Sequence, residues 1–293
     1  MLSFITKTIE FFLFILGLIP LKALSMLSWW SNVARKSSLF DLGAEVTKKN
    51  LKIAFPNQGE KEILSLANKS IKETIKTINE IGFVWSRLQR EKLSKYIEEE
   101  GFININESLN KKKGVIMFAP HLSNIEILLN FVARKLPCTV LYTPSKNKYF
   151  DNVMLAARKR MGADMVKPNL AGVKSMLAKL KDGGVVLIAS DQVPKPEGGL
   201  LSNFFSEPAL TMTLVSKLKL KTEAPCHSVY CLRKPKGEGF KVMFSKEIKG
   251  MDLDMQSSVD CMNQELEKCI MNAPEQYAWE YKRYKHSGIK DLY

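Results

Sequence analysis

"GVIMFAPHLSNIEILLNF", residues 114–131, joins two apolar patterns of different period. Its first part is a short β-prone run that ends at Pro120, and its second part has the apolar spacing of a helix. Ser123 or Asn124 stands where a helix N-cap is expected. The stretch therefore predicts a buried strand, a turn that carries His121, and a helix.

The alternation of strand and helix patterns continues along the chain. The β-prone runs are "FININ" (102–106), "GVIMFA" (114–119), "CTVLYT" (138–143), "GVVLIAS" (184–190), "HSVYCLR" (227–233) and "FKVMFS" (240–245). Helical patterns lie near 124–135, 149–161 and 171–181. Strands interleaved with helices favour an α/β fold, with a mixed, largely parallel sheet flanked by helices. The last two runs are close enough to pair as an antiparallel hairpin.

Helical patterns also flank this region. Between Ile63 and Leu88, apolar residues recur at helical spacing with Lys and Glu between them, which predicts an amphipathic helix packed on the body. A last helix is expected near 256–272. The tail after it contains "YKRYK" (281–285), whose aromatic and basic residues predict a patch that binds an anionic membrane surface.

The segment 11–30 is almost entirely apolar, with Lys22 as its one charge. About 20 such residues can cross a bilayer as a helix, and no small-residue cleavage site follows, so we expect an uncleaved anchor. Pro20 leaves two geometries open, a spanning helix or a kinked one in the interface, beside the alternative of a buried core helix. Basic residues after the segment predict that the rest is cytoplasmic. We expect a membrane-anchor helix in 1–34 and one domain in 35–293.

The chain has 293 residues, a net charge of +14, 45% hydrophobic residues and 25% charged residues. This composition is that of a folded protein, and the positive charge predicts an anionic partner. The apolar N-terminal segment favours anionic lipid, and no nucleic-acid-binding module is recognisable. The five cysteines form no C-x-x-C and only three histidines occur, so neither a disulfide framework nor a metal centre is indicated.

His121 follows the predicted strand at its carboxyl edge, where open α/β sheets bind ligands. Glu126 admits two interpretations. It follows Ser123 at the spacing of a capping box, so its role can be structural alone. Alternatively, a bent approach to the helix brings its carboxylate to the imidazole, which fixes the tautomer and leaves the other nitrogen as a general base. With no G-x-S-x-G elbow, such a pair would activate a substrate hydroxyl.

Four segments carry a resemblance to known enzymes. "HLSNIE" (121–126) fits the H-x-x-x-x-D/E motif of membrane-bound glycerolipid acyltransferases. It is followed by "YFDNVMLAARKR" (149–160), "ASDQVPKPEGGLLSNFFSEPALTMT" (189–213) and "PEQYAWEYKRYK" (274–285). In this order they resemble the lipid A late acyltransferase family, the lauroyl and myristoyl transferases of lipopolysaccharide synthesis. That family's motifs read H-x-G-N-W-E, N-x-x-x-D…R, and P-D-Q followed by F-F-G-x-P-A. The resemblance covers essentially the whole chain.

The sequence departs from the family pattern at a few positions. Ser123 and Ser206 stand in glycine places, Ile125 replaces a tryptophan, and Ser190 replaces a frequent proline before Asp191. None of these changes removes an ionisable group, so the expected chemistry is retained. The change at Ile125 leaves the acceptor or chain-length preference open.

The resemblance implies transfer of a fatty acyl chain from an acyl carrier protein thioester to a hydroxyl of a lipid A precursor, with no cofactor. The enzyme would sit at the cytoplasmic side of a bacterial inner membrane. His121 would be the base and Glu126 its orienting carboxylate. Arg158 would stabilise the oxyanion or hold an acceptor phosphate, and Asp191 would orient Arg158 or bind sugar hydroxyls. Asn124 would cap the helix or donate near the reacting carbonyl.

Some assignments stay open. Arg160 is the other basic candidate, although it faces away from Arg158 on the same helix. Phe204 and Phe205 belong either to the core or to an acyl-chain pocket. The acceptor can instead be a glycerolipid or aminolipid, and the donor a coenzyme A thioester. The remaining alternative is a non-catalytic, membrane-tethered lipid-binding protein.

Overall fold

The computed structural model describes residues 2–26 and 38–293. Its helices are α1 (Leu2–Leu18), α2 (Leu21–Met26), α3 (Ser38–Ala54), α4 (Glu60–Gly82), α5 (Phe102–Leu109), α6 (Ile125–Lys135), α7 (Lys148–Arg160), α8 (Leu170–Lys181), α9 (Leu214–Thr222) and α10 (Met255–Met271). Its strands are β1 (Ile97–Glu100), β2 (Val115–Ala119), β3 (Cys138–Leu141), β4 (Asp164–Val166), β5 (Val185–Ala189), β6 (Gly199–Phe204), β7 (Glu207–Met212), β8 (Cys226–Arg233) and β9 (Phe240–Phe244).

A seven-stranded sheet in the order β1-β9-β8-β2-β5-β3-β4 forms the centre of the molecule. Neighbouring strands are parallel except at the β8–β9 hairpin, and β6 and β7 form a separate antiparallel ribbon. Strand β2 is buried along its whole length because both faces of the sheet are covered, which agrees with its unbroken apolar run. The predicted α/β fold, with its largely parallel sheet and its final hairpin, is confirmed.

The run "FININ" is helical, so its prediction as a strand is wrong. Gly101 adopts a left-handed conformation, with φ of 82°, and α5 begins immediately after it. Ile105 and Ser108 are the buried residues of this helix, one turn apart, which is a helical spacing. The strand in this region is β1, and only Ile97 of its residues is buried. Its glutamate-rich sequence gave no apolar alternation to detect.

The apolar N-terminal run is divided into two helices. Pro20 lacks an N–H group and separates α1 from α2. In residues 2–26 and 38–293, no helix is long and apolar enough to span a bilayer, so the predicted spanning anchor is not supported there. Residues 27–34 lie outside the described ranges, so the predicted division into 1–34 and 35–293 stays a prediction. Helix α1 packs one face on α4 and α7.

Two glycines bring α1 and α4 close together. A Cβ atom added to Gly82 would lie 2.6 Å from Cβ of Leu16 and 2.8 Å from the carbonyl oxygen of Leu13. A Cβ atom on Gly17 would lie 2.7 Å from the carbonyl oxygen of Gly82. Beyond Gly82, α4 continues as a π-helical turn, Phe83–Arg87. The close crossing therefore supports the start of that turn.

The basic tail contributes two residues to the core, which corrects its predicted surface role for Arg283 and Tyr284, whereas Lys282 and Lys285 are exposed. Arg283 and Tyr284 are 2% and 1% exposed. Arg283 donates to the carbonyl oxygen of Leu210 at 2.7 Å, and the Tyr284 hydroxyl donates to that of Phe204 at 2.9 Å. Phe204 is also fully buried in the core. Arg283 and Tyr284 thus pack against the β6–β7 ribbon.

Candidate active site

His121 and Asp191 come together because their strands are in matched register. Strands β2 and β5 are parallel neighbours, with Ala119 opposite Ala189. The N–H group of Ser190 continues the ladder by donating to the carbonyl oxygen of Ala119 at 3.1 Å, a bond that a proline could not make. His121 and Asp191 each lie two residues beyond this matched pair. They are therefore side by side, although 70 positions separate them in the sequence.

Asp191 binds His121 through both carboxylate oxygens. Oδ1 lies 2.6 Å from the ring Nδ1, and Oδ2 accepts the main-chain N–H of His121 at 2.7 Å. Because the carboxylate is an acceptor, we assign the imidazole proton to Nδ1, which leaves Nε2 as the free base. Burial lowers the pKa of His121, but the charge and hydrogen bond of Asp191 raise it more, so this pKa lies above 6.5. Burial raises the pKa of Asp191, yet its contacts with His121 hold it below 3.8.

The free nitrogen of His121 is accessible. Its side chain is 28% exposed, and within residues 2–26 and 38–293 the one hydrogen-bond contact of Nε2 is a long one of 3.3 Å with the side-chain amide of Gln192. A substrate hydroxyl can replace that contact. The core residue His227 differs, because its ring nitrogens lie 2.9 Å from the Ser108 hydroxyl and 2.9 Å from the Ser245 carbonyl oxygen. Of these two histidines, His121 is the one with a ring nitrogen available for chemistry.

Glu126 pairs with Arg158 and Trp85 rather than with His121, which corrects the predicted orienting role. Its Oε1 accepts from Nη2 of Arg158, and its Oε2 accepts from Nε of Arg158 at 3.3 Å. The indole N–H of Trp85 donates to Oε2 at 2.9 Å. The reason lies in the local geometry: α6 begins at Ile125, and its first turn directs Glu126 towards α7 and the π-helical turn. The register of β2 and β5 places the carboxylate of Asp191, and not that of Glu126, beside the His121 ring.

Arg158 is oriented by Glu126, so the first of the two roles predicted for Asp191, to orient Arg158, is wrong, and the second, to bind sugar hydroxyls, stays a prediction. Its two bonds to Glu126 use Nε and Nη2, and within the part of the chain that the structure describes Nη1 makes no hydrogen bond. The charge of Arg158 lowers the pKa of His121, against the stronger effect of Asp191. The guanidinium group therefore contributes to the electrostatic field at the base.

Asn124 is the N-cap of α6, as one of its two predicted roles required. Its Oδ1 accepts the N–H of Glu126 at 3.1 Å. Its Nδ2 donates to Oε2 of Glu80 at 3.0 Å, so this donor is not directed to a reacting carbonyl. Ser123 adopts φ of 57°, a left-handed conformation that glycine adopts without strain. That conformation accounts for the glycine in the family pattern at this place.

Arg160 contacts the main chain of Trp85, since its Nη2 donates to that carbonyl oxygen at 3.4 Å. Its Nε donates to Gln89 at 3.1 Å, and its Nη1 donates to Glu10 of α1 at 3.2 Å. Its side chain is 49% exposed. The structure therefore gives Arg160 a place in the contact between α1 and α7.

The segment after α10 holds the main chain of the histidine loop, which the sequence did not predict. The N–H of Ser123 donates to the carbonyl oxygen of Gln276 at 2.7 Å, and the N–H of Ala278 donates to that of His121 at 3.1 Å. Leu122 and Tyr277 form an isolated antiparallel bridge between these contacts. The one available signal was the fourth segment of the resemblance, which begins at Pro274.

The arrangement supports proton abstraction from a hydroxyl group beside a fixed positive charge. A neutral imidazole with a bound Nδ1 proton accepts a proton at Nε2, and the buried carboxylate of Asp191 stabilises the imidazolium that forms. Arg158 can stabilise an anionic oxygen nearby. Across residues 2–26 and 38–293, no group of His, Cys, Asp and Glu side chains could hold a metal ion.

Comparison with known proteins agrees with this chemistry. Residues 3–286 match the family model described as bacterial lipid A biosynthesis acyltransferase. The chain is 28% identical to the Escherichia coli lipid A biosynthesis lauroyltransferase, over 83% of this chain and 79% of that protein. It is 25% identical to the E. coli palmitoleoyltransferase, over 82% and 78%. It is also 25% identical to a Haemophilus influenzae lipid A biosynthesis acyltransferase, over 97% and 88%. The chain therefore belongs to the bacterial lipid A biosynthesis acyltransferase family and is an acyltransferase.

Proposed function

We propose that this protein transfers a fatty acyl chain from an acyl carrier protein thioester to a hydroxyl group of a lipid A precursor. The observation that carries the mechanism is the bond of 2.6 Å between Nδ1 of His121 and the buried Asp191, which leaves Nε2 at the carboxyl edge of the sheet. The family membership supports the substrate class.

In the proposed reaction, Nε2 of His121 removes the proton of the acceptor hydroxyl while its oxygen attacks the thioester carbonyl carbon. The carbonyl oxygen becomes an oxyanion in a tetrahedral intermediate. When the carbonyl re-forms, the carbon–sulfur bond breaks, and the imidazolium returns its proton to the departing thiolate. Asp191 stays ionised throughout and stabilises the imidazolium. General base catalysis of this kind contributes about 10²–10⁴-fold.

Arg158 provides positive charge next to this base. Its fork is fixed on Glu126 by two bonds, which leaves Nη1 to bind either the oxyanion or a phosphate of the acceptor. In this proposal Glu126 holds the arginine, and the indole N–H of Trp85 holds Glu126 through Oε2. Glu126 is then a positioning residue.

We propose that α1 lies in a membrane surface on the cytoplasmic side of the bacterial inner membrane. Phe11, Phe12, Ile15 and Leu18 on its outer side are 60%, 61%, 44% and 58% exposed. Exposed apolar helix faces of this kind bind at the boundary between headgroups and acyl chains. The net charge of +14 supports attraction to anionic lipid.

The test of the membrane proposal is co-sedimentation with vesicles that contain anionic phospholipid. Phe12→Glu should release the protein from the vesicles, whereas Leu170→Glu, at a leucine that is 72% exposed on α8, should not. Equal binding of both variants and the parent would contradict the proposed orientation.

The test of the reaction is an assay of the purified protein with lipid A precursor, lysophospholipid and aminolipid acceptors. Each acceptor is offered with an acyl carrier protein donor and with a coenzyme A donor. We expect turnover of the lipid A precursor with the carrier protein donor, and loss of that turnover in His121→Ala by about 10²-fold or more. The variant should keep the melting temperature of the parent within a few degrees. Unchanged turnover in His121→Ala would defeat the mechanism, and preference for another acceptor or donor would replace the proposed substrates.

A further inference from the structure

A buried ion pair lies next to the histidine loop, outside the residues that the proposed reaction uses. Arg233, at the carboxyl end of β8, donates to Oε1 of Glu80 from Nε at 2.7 Å and to Oε2 from Nη2 at 2.8 Å. Its Nη1 also donates to Glu73 at 2.5 Å. The side chains of Arg233 and Glu80 are 3% and 2% exposed. Two charges are thus removed from water at the edge of the sheet that carries His121.

Glu80 extends this pair to the first turn of α6. Its Oε2 also accepts from Nδ2 of Asn124 at 3.0 Å, while Oδ1 of Asn124 caps the N–H of Glu126. Asn124 therefore has its donor on Glu80 and its acceptor on the helix. The amide group is fixed in one orientation, and with it the residue that ends the histidine loop.

Arg233 extends the pair to the other side of the loop. Its main-chain N–H donates to Oε1 of Gln276 at 2.7 Å, and Nε2 of Gln276 donates to the carbonyl oxygen of Arg233 at 3.1 Å. The carbonyl oxygen of Gln276 accepts from Ser123, and Ala278 donates to the carbonyl oxygen of His121. Glu80 and Arg233 thus reach the main chain on both sides of the base.

We propose that Glu80 and Arg233 position His121 for acyl transfer, Glu80 by fixing Asn124 with its carboxylate and Arg233 by fixing Gln276 with its main chain. This inference rests on the proposed function, because it concerns the geometry of the same reaction. A buried ion pair contributes little net stability when compared with apolar residues of similar size. The pair instead fixes the orientation of the Glu80 carboxylate. The guanidinium group of Arg233 and the amide of Asn124 each fit a single arrangement of that carboxylate. A displacement of about 1 Å at a reacting group can cost about 10²-fold in rate.

The sharpest test first removes the hydrogen bond from Asn124 to Glu80 and then restores it with donor and acceptor exchanged. Asn124→Asp keeps a side chain that caps α6 but sets a carboxylate against Glu80. We expect kcat to fall by about 10- to 100-fold, with KM changed by less than about threefold. Adding Glu80→Gln supplies an amide donor to the new carboxylate, so the double variant should recover kcat to within about fivefold of Glu80→Gln alone.

Glu73→Gln is the matched control, since it also removes one carboxylate from Arg233 but leaves Asn124 in place. It should lower the melting temperature less than Glu80→Gln does, because Glu73 makes one bond to Arg233 and Glu80 makes two, while kcat stays within about twofold of the parent. Gln276→Ala tests the other side of the loop without leaving a charge unpaired. Its kcat should fall by about 10-fold at unchanged KM, whether or not Asn124→Asp folds.

The inference is overturned if Gln276→Ala and Asn124→Asp retain the parent kcat, or if Glu80→Gln fails to rescue Asn124→Asp. These failures are distinct from failure of the proposed function. In that case the parent itself would not turn over the lipid A precursor, or His121→Ala would be as active as the parent.

Discussion

Two pairs of ionisable side chains lie at the carboxyl edge of the sheet, and they are built in different ways. The pair of His121 and Asp191 joins two neighbouring strands, and the carboxylate binds the ring and the main chain of the same residue. The pair of Arg158 and Glu126 joins two helices, and its carboxylate is shared with Trp85 of the π-helical turn. The first depends on the register of β2 and β5, whereas the second depends on how α4, α6 and α7 pack.

The difference separates the group that reacts from the group that positions charge. A sheet register that slips by one residue would turn every side chain to the other face, so the strand pair is fixed with the fold itself. The helix pair depends on side chains from three elements and can be perturbed while the sheet stays intact. The two pairs should therefore respond differently to substitution.

The largest expected contrast is between Asp191→Asn and Glu126→Gln. Asp191→Asn removes the charge that stabilises the imidazolium and fixes the tautomer, so kcat should fall by about 10²–10⁴-fold. Glu126→Gln keeps an acceptor oxygen for either Arg158 or Trp85 and should cost about 10-fold. Steady-state kinetics of both variants with one acceptor and donor measures this contrast. A larger loss in Glu126→Gln would mean that Glu126 acts on the reacting atoms.

The pH dependence of kcat/KM should distinguish the charges around the base. Because a general base must be neutral, activity should rise with pH through the pKa of His121, which lies above 6.5. Asp191 raises that pKa, so Asp191→Asn should move the rise to lower pH. Arg158 lowers it, so Arg158→Gln should move the rise to higher pH.

A rate profile over pH 5–9 for the three proteins checks both directions. Shifts of the same sign in the two variants would show that the rise does not report His121.

A smaller effect should come from the crossing of α1 and α4, which supports the Arg158–Glu126 pair but not the His121–Asp191 pair. Gly82→Ala forces apart atoms that an added Cβ would approach to 2.6 Å, so the free energy of unfolding should fall by about 1–3 kcal/mol. Gly43→Ala is the control, because its Cβ would meet nothing nearer than 3.7 Å. It should raise the free energy of unfolding by up to about 1 kcal/mol. Denaturant unfolding of the two variants measures the difference. Equal free energies of unfolding would show that the close crossing of α1 and α4 does not contribute to stability.

The strands and most helices could be predicted because their apolar patterns are local. "GVIMFA" and "GVVLIAS" are unbroken apolar runs, and both became central strands of the sheet. β1 could not be found in this way, since it is an edge strand with mostly exposed side chains. "FININ" is ambiguous because so short a run of apolar and polar residues fits both the spacing of a strand and that of a helix. In the structure a helix begins directly after Gly101, which adopts a left-handed conformation.

The site residues could be predicted individually, but their partners could not. Spacing along the chain placed His121 and Glu126 near one helix start, and it carried no information about Asp191, which reaches His121 through strand register. The same limit applies to Glu80, Arg233 and Gln276, since each acts through tertiary contacts. The clustering of "YKRYK" was interpreted as surface chemistry because composition alone does not show that Arg283 is buried.

The bonds from the segment near Gln276 to the histidine loop have a consequence for the order of assembly during translation. Strands β2 and β5 leave the ribosome long before that segment does, so the dyad can form while the loop still lacks the amide and carbonyl partners that fix it. A growing chain therefore lacks these contacts to the histidine loop until the segment near Gln276 has been made.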